Sequence, residues 1–261
     1  MNGATVIGKI IRASAAQLRP VGTALRQGRR LLQDATRVIF PDSCVLCGDA
    51  AAGRYFCSAC LDDLPRIPFA CERCGQPVTV PVPPVTGCAD CVTHPPPFRR
   101  VRAALLYDFP VDSALKALKF NGRLYYAPAF ASLMMVELDR HFQHVDALVP
   151  VPLHRWRHAT RGFNQALELC RPLARRSRLP VVYTTRRVRR TRPQTGLDAA
   201  ARRQNLRAAF ALVGKLRCRH PLIVDDVMTT GETCRQLAYV LLKGGAQDVS
   251  VLTAAAAGRN V

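Results

Sequence analysis

Long apolar runs are missing from this chain. No stretch reaches the about 18 consecutive apolar residues that a membrane-spanning helix needs. An uninterrupted signal region is missing as well, because Lys9, Arg12, Arg19 and Arg26 break up the N-terminal segment. The two absences predict a cytoplasmic protein with reduced thiols. Carboxylates are scarce: 18 Asp and Glu face 38 Lys and Arg, giving a formal charge of +20. The shortage is local. Between His154 and Arg219 stand 18 basic residues, against only Glu168 and Asp198. Such a block attracts polyanions: nucleic acid, pyrophosphate or acidic lipid surfaces. An arginine-rich composition alone would produce the same surplus, and the sequence leaves both readings open.

Cysteine is not scarce, and its placement is informative. Of 11 cysteines, eight lie in four C-x-x-C pairs: Cys44/Cys47, Cys57/Cys60, Cys71/Cys74 and Cys88/Cys91. Each pair sets two thiolates on one side of a tight turn, and Gly48 and Gly75 supply the permissive backbone after two of them. Two such knuckles complete a tetrahedral S₄ shell for zinc. The segment is too short and too rich in Pro and Gly for a core of its own, so metal must supply much of its folding energy. Two consecutive ribbons with one structural zinc each are expected. Whether the knuckles pair in sequence or cross over is left open. Cys170, Cys218 and Cys234 stand alone and read as core filler. His94 reads as a solvated loop residue, and Pro95-Pro96-Pro97 as a semi-rigid linker.

Beyond that linker the pattern alternates. Strands are expected over Val101–Tyr107, Asp146–Pro150 and Pro180–Tyr183, and helices over Val111–Phe120, Pro128–His141 and Ala166–Arg176. Alternation of this kind predicts a mostly parallel sheet with helices on both faces. The organising stretch is Leu222-Ile223-Val224-Asp225-Asp226-Val227-Met228-Thr229-Thr230-Gly231-Glu232-Thr233. Its apolar start reads as a buried strand, its end as a hydroxyl-rich turn opening a helix from Cys234. A helix N-terminus offers unpaired N–H groups to a phosphate. Asp225 and Asp226 can accept from vicinal ribose hydroxyls, directly or through Mg²⁺ and its waters.

Val224 to Thr233 resembles the phosphoribosyl-pyrophosphate (PRPP) motif of type I phosphoribosyltransferases. Together with PVPLHRWRHATRGFNQ (151–165 with Pro150), RRTRPQTGLDAAARRQNLRAAF (189–210) and the cysteine array, it makes the chain similar to the ComF family over about residues 36–254. The resemblance implies a double zinc ribbon on a type I phosphoribosyltransferase-like fold, tied in some bacteria to DNA uptake during natural transformation. It implies that PRPP lies on Asp225, Asp226, Val227, Met228, Thr229, Thr230, Gly231, Glu232 and Thr233. Arg155, Arg157 and Arg161 become candidates for the pyrophosphate, since guanidinium forks suit phosphate oxygens. Arg187 to Leu206 resembles the mobile hood of the fold, where Arg190 and Arg192 join Asp225 and Asp226 as catalytic candidates.

The chain departs from the motif in places. Thr229 stands where relatives acting on purine bases often carry an aspartate base, which argues against purine salvage. Glu232 puts an anion near the phosphate cradle, and Ala201 replaces a frequent Glu. Three parts are expected: a basic leader and amphipathic helix (1–40), the double zinc ribbon (41–97) and the phosphoribosyltransferase-like domain (98–261). Two functions remain in view. One is Mg²⁺-dependent phosphoribosyl transfer from PRPP to an unknown acceptor. The other is a non-catalytic, nucleotide-sensing module that binds single-stranded DNA or DNA-uptake proteins.

Overall fold

The computed structural model describes residues 43–83, 86–153, 161–188 and 209–258. The expected leader and helix of residues 1–40, the loop 154–160 and most of the hood (189–208) lie outside them. The chain divides into two compact units, Met1–Ser58 and Ala59–Val261.

In the first unit the knuckle after Ser43 is closed by backbone bonds. Gly48 N donates to Cys44 O (3.0 Å), Cys44 N to Asp49 O (2.6 Å) and Val45 N to Tyr55 O (2.9 Å). Gly48 takes φ 86°, the left-handed conformation expected of it. Ala51 and Phe56 are its buried apolar residues. A short helix, α1 (Ser58–Asp62), begins at the last residue of this unit, and its Cys60 belongs to the second.

The third knuckle, Cys71/Cys74, in the larger unit, repeats the first at an offset of 27 positions (Cys44 to Cys71). Gly75 N donates to Cys71 O (2.7 Å) and Cys71 N to Gln76 O (2.9 Å). The bridge Ser43–Ala50 likewise recurs as Ala70–Pro77. Helix α2 (Ala89–Thr93) starts inside the last knuckle, with Cys88 as its N-cap, and buries Cys91.

The rest of this unit is the expected parallel sheet. Strands β1 (Val101–Leu106), β2 (Ala147–Pro150), β5 (Pro221–Met228) and β6 (Ser250–Ala256) lie in the order β1-β6-β5-β2, every pairing parallel. β6 is buried along its whole length, as a central strand covered on both faces must be. Side chains alternate across the sheet. Val149, Ile223 and Val251 share a core with Leu237, Ala238 and Leu241 of helix α6 (Glu232–Lys243). On the other face pack helices α4 (Tyr126–His141) and α5 (Gln165–Ser177), with α3 (Val111–Asn121) against α4. α3 stops where Asn121-Gly122 said it would, with Gly122 at φ 65°. Asn164 caps α5 by accepting from Ala166 N (3.0 Å), and its amide donates to Val151 O (3.0 Å), tying the helix to the end of β2.

Three local expectations need correction. Pro180–Tyr183 is no full strand: only Val181 bridges to Leu148, through Leu148 N to Pro180 O (2.9 Å) and Val182 N to Leu148 O (2.9 Å). A small antiparallel pair, β3 (Thr185–Arg187) with β4 (Phe210–Leu212), stands at the base of the hood segment and was not anticipated. β5 continues through the acidic pair to Met228, and α6 begins at Glu232 rather than Cys234. Among the described residues no helix is long and apolar enough to cross a membrane.

Candidate functional site

β5 delivers two adjacent carboxylates to the carboxyl end of a parallel sheet, where α/β folds place their ligands. Asp225 pairs in register with Thr253, and Asp226 is buried. Asp226 N donates to Asp225 Oδ1 (2.9 Å), which fixes one carboxylate against the strand. The chain then turns through Thr229 and Thr230, both exposed, to Gly231 at φ 73°. A side chain would have room at Gly231, meeting Met228 only at van der Waals distance. The glycine is therefore required by its left-handed backbone. α6 starts there and presents its N-terminal end to whatever the turn holds.

Glu232 does not oppose that arrangement. It is buried, its Oε1 accepts from Gln236 Nε2 (2.9 Å), and Arg235 Nε stands 3.6 Å from its Oε2. Its charge is engaged by its own helix.

One side chain beside the acidic pair escaped the sequence reading. Lys119, in the last turn of α3, places Nζ 3.0 Å from Asp226 Oδ2. In the sequence it is a plain helix-end lysine, favourable there for the dipole alone. Only the fold shows that α3 ends beside β5. Burial works against charge on Lys119, yet the carboxylates of Asp226 and Asp225 outweigh it and hold its pKa above the ordinary lysine value. Burial, and then the neighbouring Asp226 charge, push the Asp225 carboxyl well above the usual range. Two adjacent carboxyl groups at the end of a strand suit a metal-bearing ligand.

Arg161 joins the group. Its guanidinium lies over the ring of Phe120, 5.2 Å from the centroid, and Nη1 donates to Gln165 Oε1 (2.9 Å). Arg155, Arg157, Arg190 and Arg192 lie outside the described residues, as do His154 and His158.

The cysteines form two separate clusters, Cys44/Cys47/Cys57/Cys60 and Cys71/Cys74/Cys88/Cys91, with sulfurs within 4.8 Å of one another in each. The knuckles thus pair in sequence. Neighbouring sulfurs stand 3.6 Å (Cys47–Cys57), 3.8 Å (Cys71–Cys91) and 3.7 Å (Cys74–Cys88) apart. A tetrahedron of Zn–S bonds of about 2.3 Å has edges of about 3.8 Å, so both sets fit zinc. Electrostatics agrees. Burial opposes charge on Cys44 and Cys71, but N–H groups outweigh it and bring these thiols down to about 6 and about 7. Burial pushes Cys91 up to about 12, with the charge of Cys71 adding to it. Four thiolates so close need a cation among them. His94 stays out of the cluster, exposed and bonded to Thr93 Oγ1 (3.0 Å). Cys170, Cys218 and Cys234 are buried single thiols, as expected.

Comparison with known proteins bears on both halves. A family model described as a double zinc ribbon domain matches residues 35–92. DNA utilization protein YhgH of Salmonella typhimurium is 37% identical over 221 residues, covering 81% of this chain and 95% of that protein. Competence protein F of Haemophilus influenzae is 30% identical over 204 residues, covering 75% of this chain and 87% of that one. Competence protein ComFC of Bacillus subtilis is 29% identical, covering 76% and 82%. Among solved structures, the allosteric regulatory enzyme of purine biosynthesis is similar at 20% identity and a TM-score of 0.32, over 49% of this chain. The chain spans only 26% of that structure. Given the extent of the first two matches, the chain belongs to the ComF family, together with competence protein F and DNA utilization protein YhgH.

Proposed function

We propose that this protein binds PRPP, or a related ribose-5-phosphate ligand, with Mg²⁺ at the end of β5, and that it serves the handling of incoming DNA in the cytoplasm. On this reading residues 41–97 form the zinc-ribbon part and 98–261 the ligand-binding part. One observation carries it: a charged pair, an exposed hydroxyl turn with a left-handed glycine and a helix N-terminus converge within Asp225–Thr233. The phosphate would lie on Thr229–Thr233, the ribose hydroxyls toward Asp225 and Asp226, and Arg161 with Lys119 would face the pyrophosphate. Bound Mg²⁺ would neutralise the diphosphate and be held by the acidic pair, directly or through its waters. The link to DNA rests on relatives named for competence and DNA utilization. Calorimetry with PRPP and Mg²⁺ tests the ligand: saturable binding that needs the metal is expected, and absence of heat at millimolar PRPP would end this reading.

Lys119 gives a separate check. Lys119→Met leaves Asp225 and Asp226 facing each other without a counter-charge. The side chain of Lys119 keeps 32% of its surface in solvent, so the loss is smaller than for a fully buried pair, about 1–3 kcal/mol. Millimolar Mg²⁺ should restore more thermal stability to the variant than it adds to the parent. Equal Mg²⁺ effects in both would show that the lysine is not the resident counter-ion.

A non-catalytic DNA-binding module is the second reading, favoured by Thr229 in place of a base and by the basic surplus. The structure refines which arginines can test it. Arg187 is buried with its guanidinium 5.5 Å from the Phe210 ring centroid, so it holds β3 to β4, whereas Arg186 is exposed. Replacing Arg186, Arg189 and Arg190 by Ala should weaken single-stranded DNA equally for all sequences. The salt slope should fall by about 2, at about 0.7 per lost phosphate contact. Unchanged binding would leave the surplus as composition alone.

A further inference from the structure

The third knuckle, Cys71–Gln76, is fixed at two points of its own unit. On one side it is held to β1: Val101 N donates to Glu72 O (2.8 Å), and the Glu72 carboxylate takes Arg100 (3.1 Å) and Arg102, one on each oxygen. On the other it reaches the turn after β5, where Gln76 Nε2 donates to the carbonyl of Thr229 at 2.6 Å. Gly75 fills the space between. A Cβ there would come within 2.4 Å of Val101 Cγ1 and 2.6 Å of Met228 Cε, and its φ of 71° also excludes other residues without strain.

Gln76 is unusual in its own right. Only 6% of it is exposed, and its Oε1 is buried without a hydrogen-bond partner among the described residues. An unpaired buried acceptor is costly. Packing alone would be served better by an apolar side chain of the same shape. The amide is explained by its donor, which meets the Thr229 carbonyl. The orientation is fixed as well, since the reversed amide would set oxygen against oxygen.

We propose that Gln76 is the positioning residue of the phosphate turn, and that the metal-closed knuckle Cys71–Gln76 is the scaffold that holds it there. Gln76 N and O sit in the same backbone turn that brings Cys71 and Cys74 together, with Cys71 N donating to Gln76 O. Zinc in the second cluster therefore sets where the Gln76 side chain starts, and Gln76 sets the direction of the Thr229 peptide. That peptide enters Thr230 and Gly231, whose N–H groups would face the ligand phosphate. The ribbon then acts on the ligand site without touching the ligand. The inference deepens the PRPP reading and rests on it for the identity of the ligand, though not for the coupling itself.

The test is Gln76→Met in the full zinc-loaded chain, a change that keeps shape and removes the donor. Hydrogen exchange without ligand should be at least about tenfold faster in the peptide spanning Asp226–Thr233, and unchanged in β6 and in Cys88–Cys91. Zinc content should equal that of the parent. PRPP affinity in Mg²⁺ should fall on the order of tenfold, the loss of one hydrogen bond's worth of positioning, and saturating PRPP should slow exchange in the turn again. Unchanged exchange in the turn would overturn the proposal, as would faster exchange spread evenly over the chain, which marks a general folding defect. If the parent binds no PRPP, the ligand reading fails by itself, and the exchange rates still decide whether the knuckle holds the turn.

Discussion

Purified protein is expected to contain about two zinc ions per chain, and removing them should unfold residues 44–91. Each cluster offers four sulfurs at the spacing of a zinc tetrahedron, and metal binding to such sites is worth about 10–16 kcal/mol at neutral pH. Few apolar residues there could replace it: Cys44, Ala51, Phe56, Leu64, Cys71 and Cys91 are the buried ones. Strong chelator should therefore abolish the ordered signals of the knuckles while β5 and β6, buried on both faces, stay protected. Metal analysis without zinc would overturn this, and so would disulfides in protein prepared under reducing conditions.

The double change Asp225→Asn, Asp226→Asn should weaken PRPP binding by two orders of magnitude or more. Each charge-assisted hydrogen bond lost costs about 1.5–3 kcal/mol, and the variant also loses the charge that holds Mg²⁺. Stability should move little at neutral pH, because two effects oppose each other. Lys119 loses its partner, while the strained charge of Asp225 disappears. The sign of the second effect can be checked by pH. A carboxyl whose pKa is raised on folding binds more protons in the native state, so it subtracts stability as pH climbs from about 4 through its raised value. Asp225→Asn alone should flatten that fall in the melting temperature. Intact PRPP affinity in the double variant, or a parent equally stable from pH 4 upward, would contradict the assignment.

Much of this was readable from residue order, for a physical reason. The knuckles obey short-range geometry: C-x-x-C with a following glycine closes the same turn wherever it occurs, as Gly48 and Gly75 do. The central strand β5 announces itself because burial on both faces demands a continuous apolar run, as in Leu222–Val224, whereas β6 (Ser250–Ala256), equally buried, was not anticipated. What escaped depends on contacts between distant segments. Lys119 and Asp226 are far apart in the chain, and no periodicity links a helix-end lysine to one carboxylate. Gln76 and Thr229 are separated by 153 positions. The pairing order of the knuckles was likewise open, since either order satisfies the spacing and only the fold selects one. At Pro180–Tyr183 the β-branched residues suggested a strand, and the chain pairs there only through the single bridge of Val181 to Leu148.

The two knuckles superpose in pattern from Ser43–Ala50 to Ala70–Pro77, bond for bond. The same short-range turn used twice leaves the position after its glycine free to differ between the copies. In the later copy it is Gln76, committed to the Thr229 carbonyl. In the earlier copy it is Asp49, exposed, with its carboxylate near Cys47 Sγ (3.4 Å). The same metal-closed turn has thus been recruited inward once, leaving its twin open to evolve toward something outside the chain.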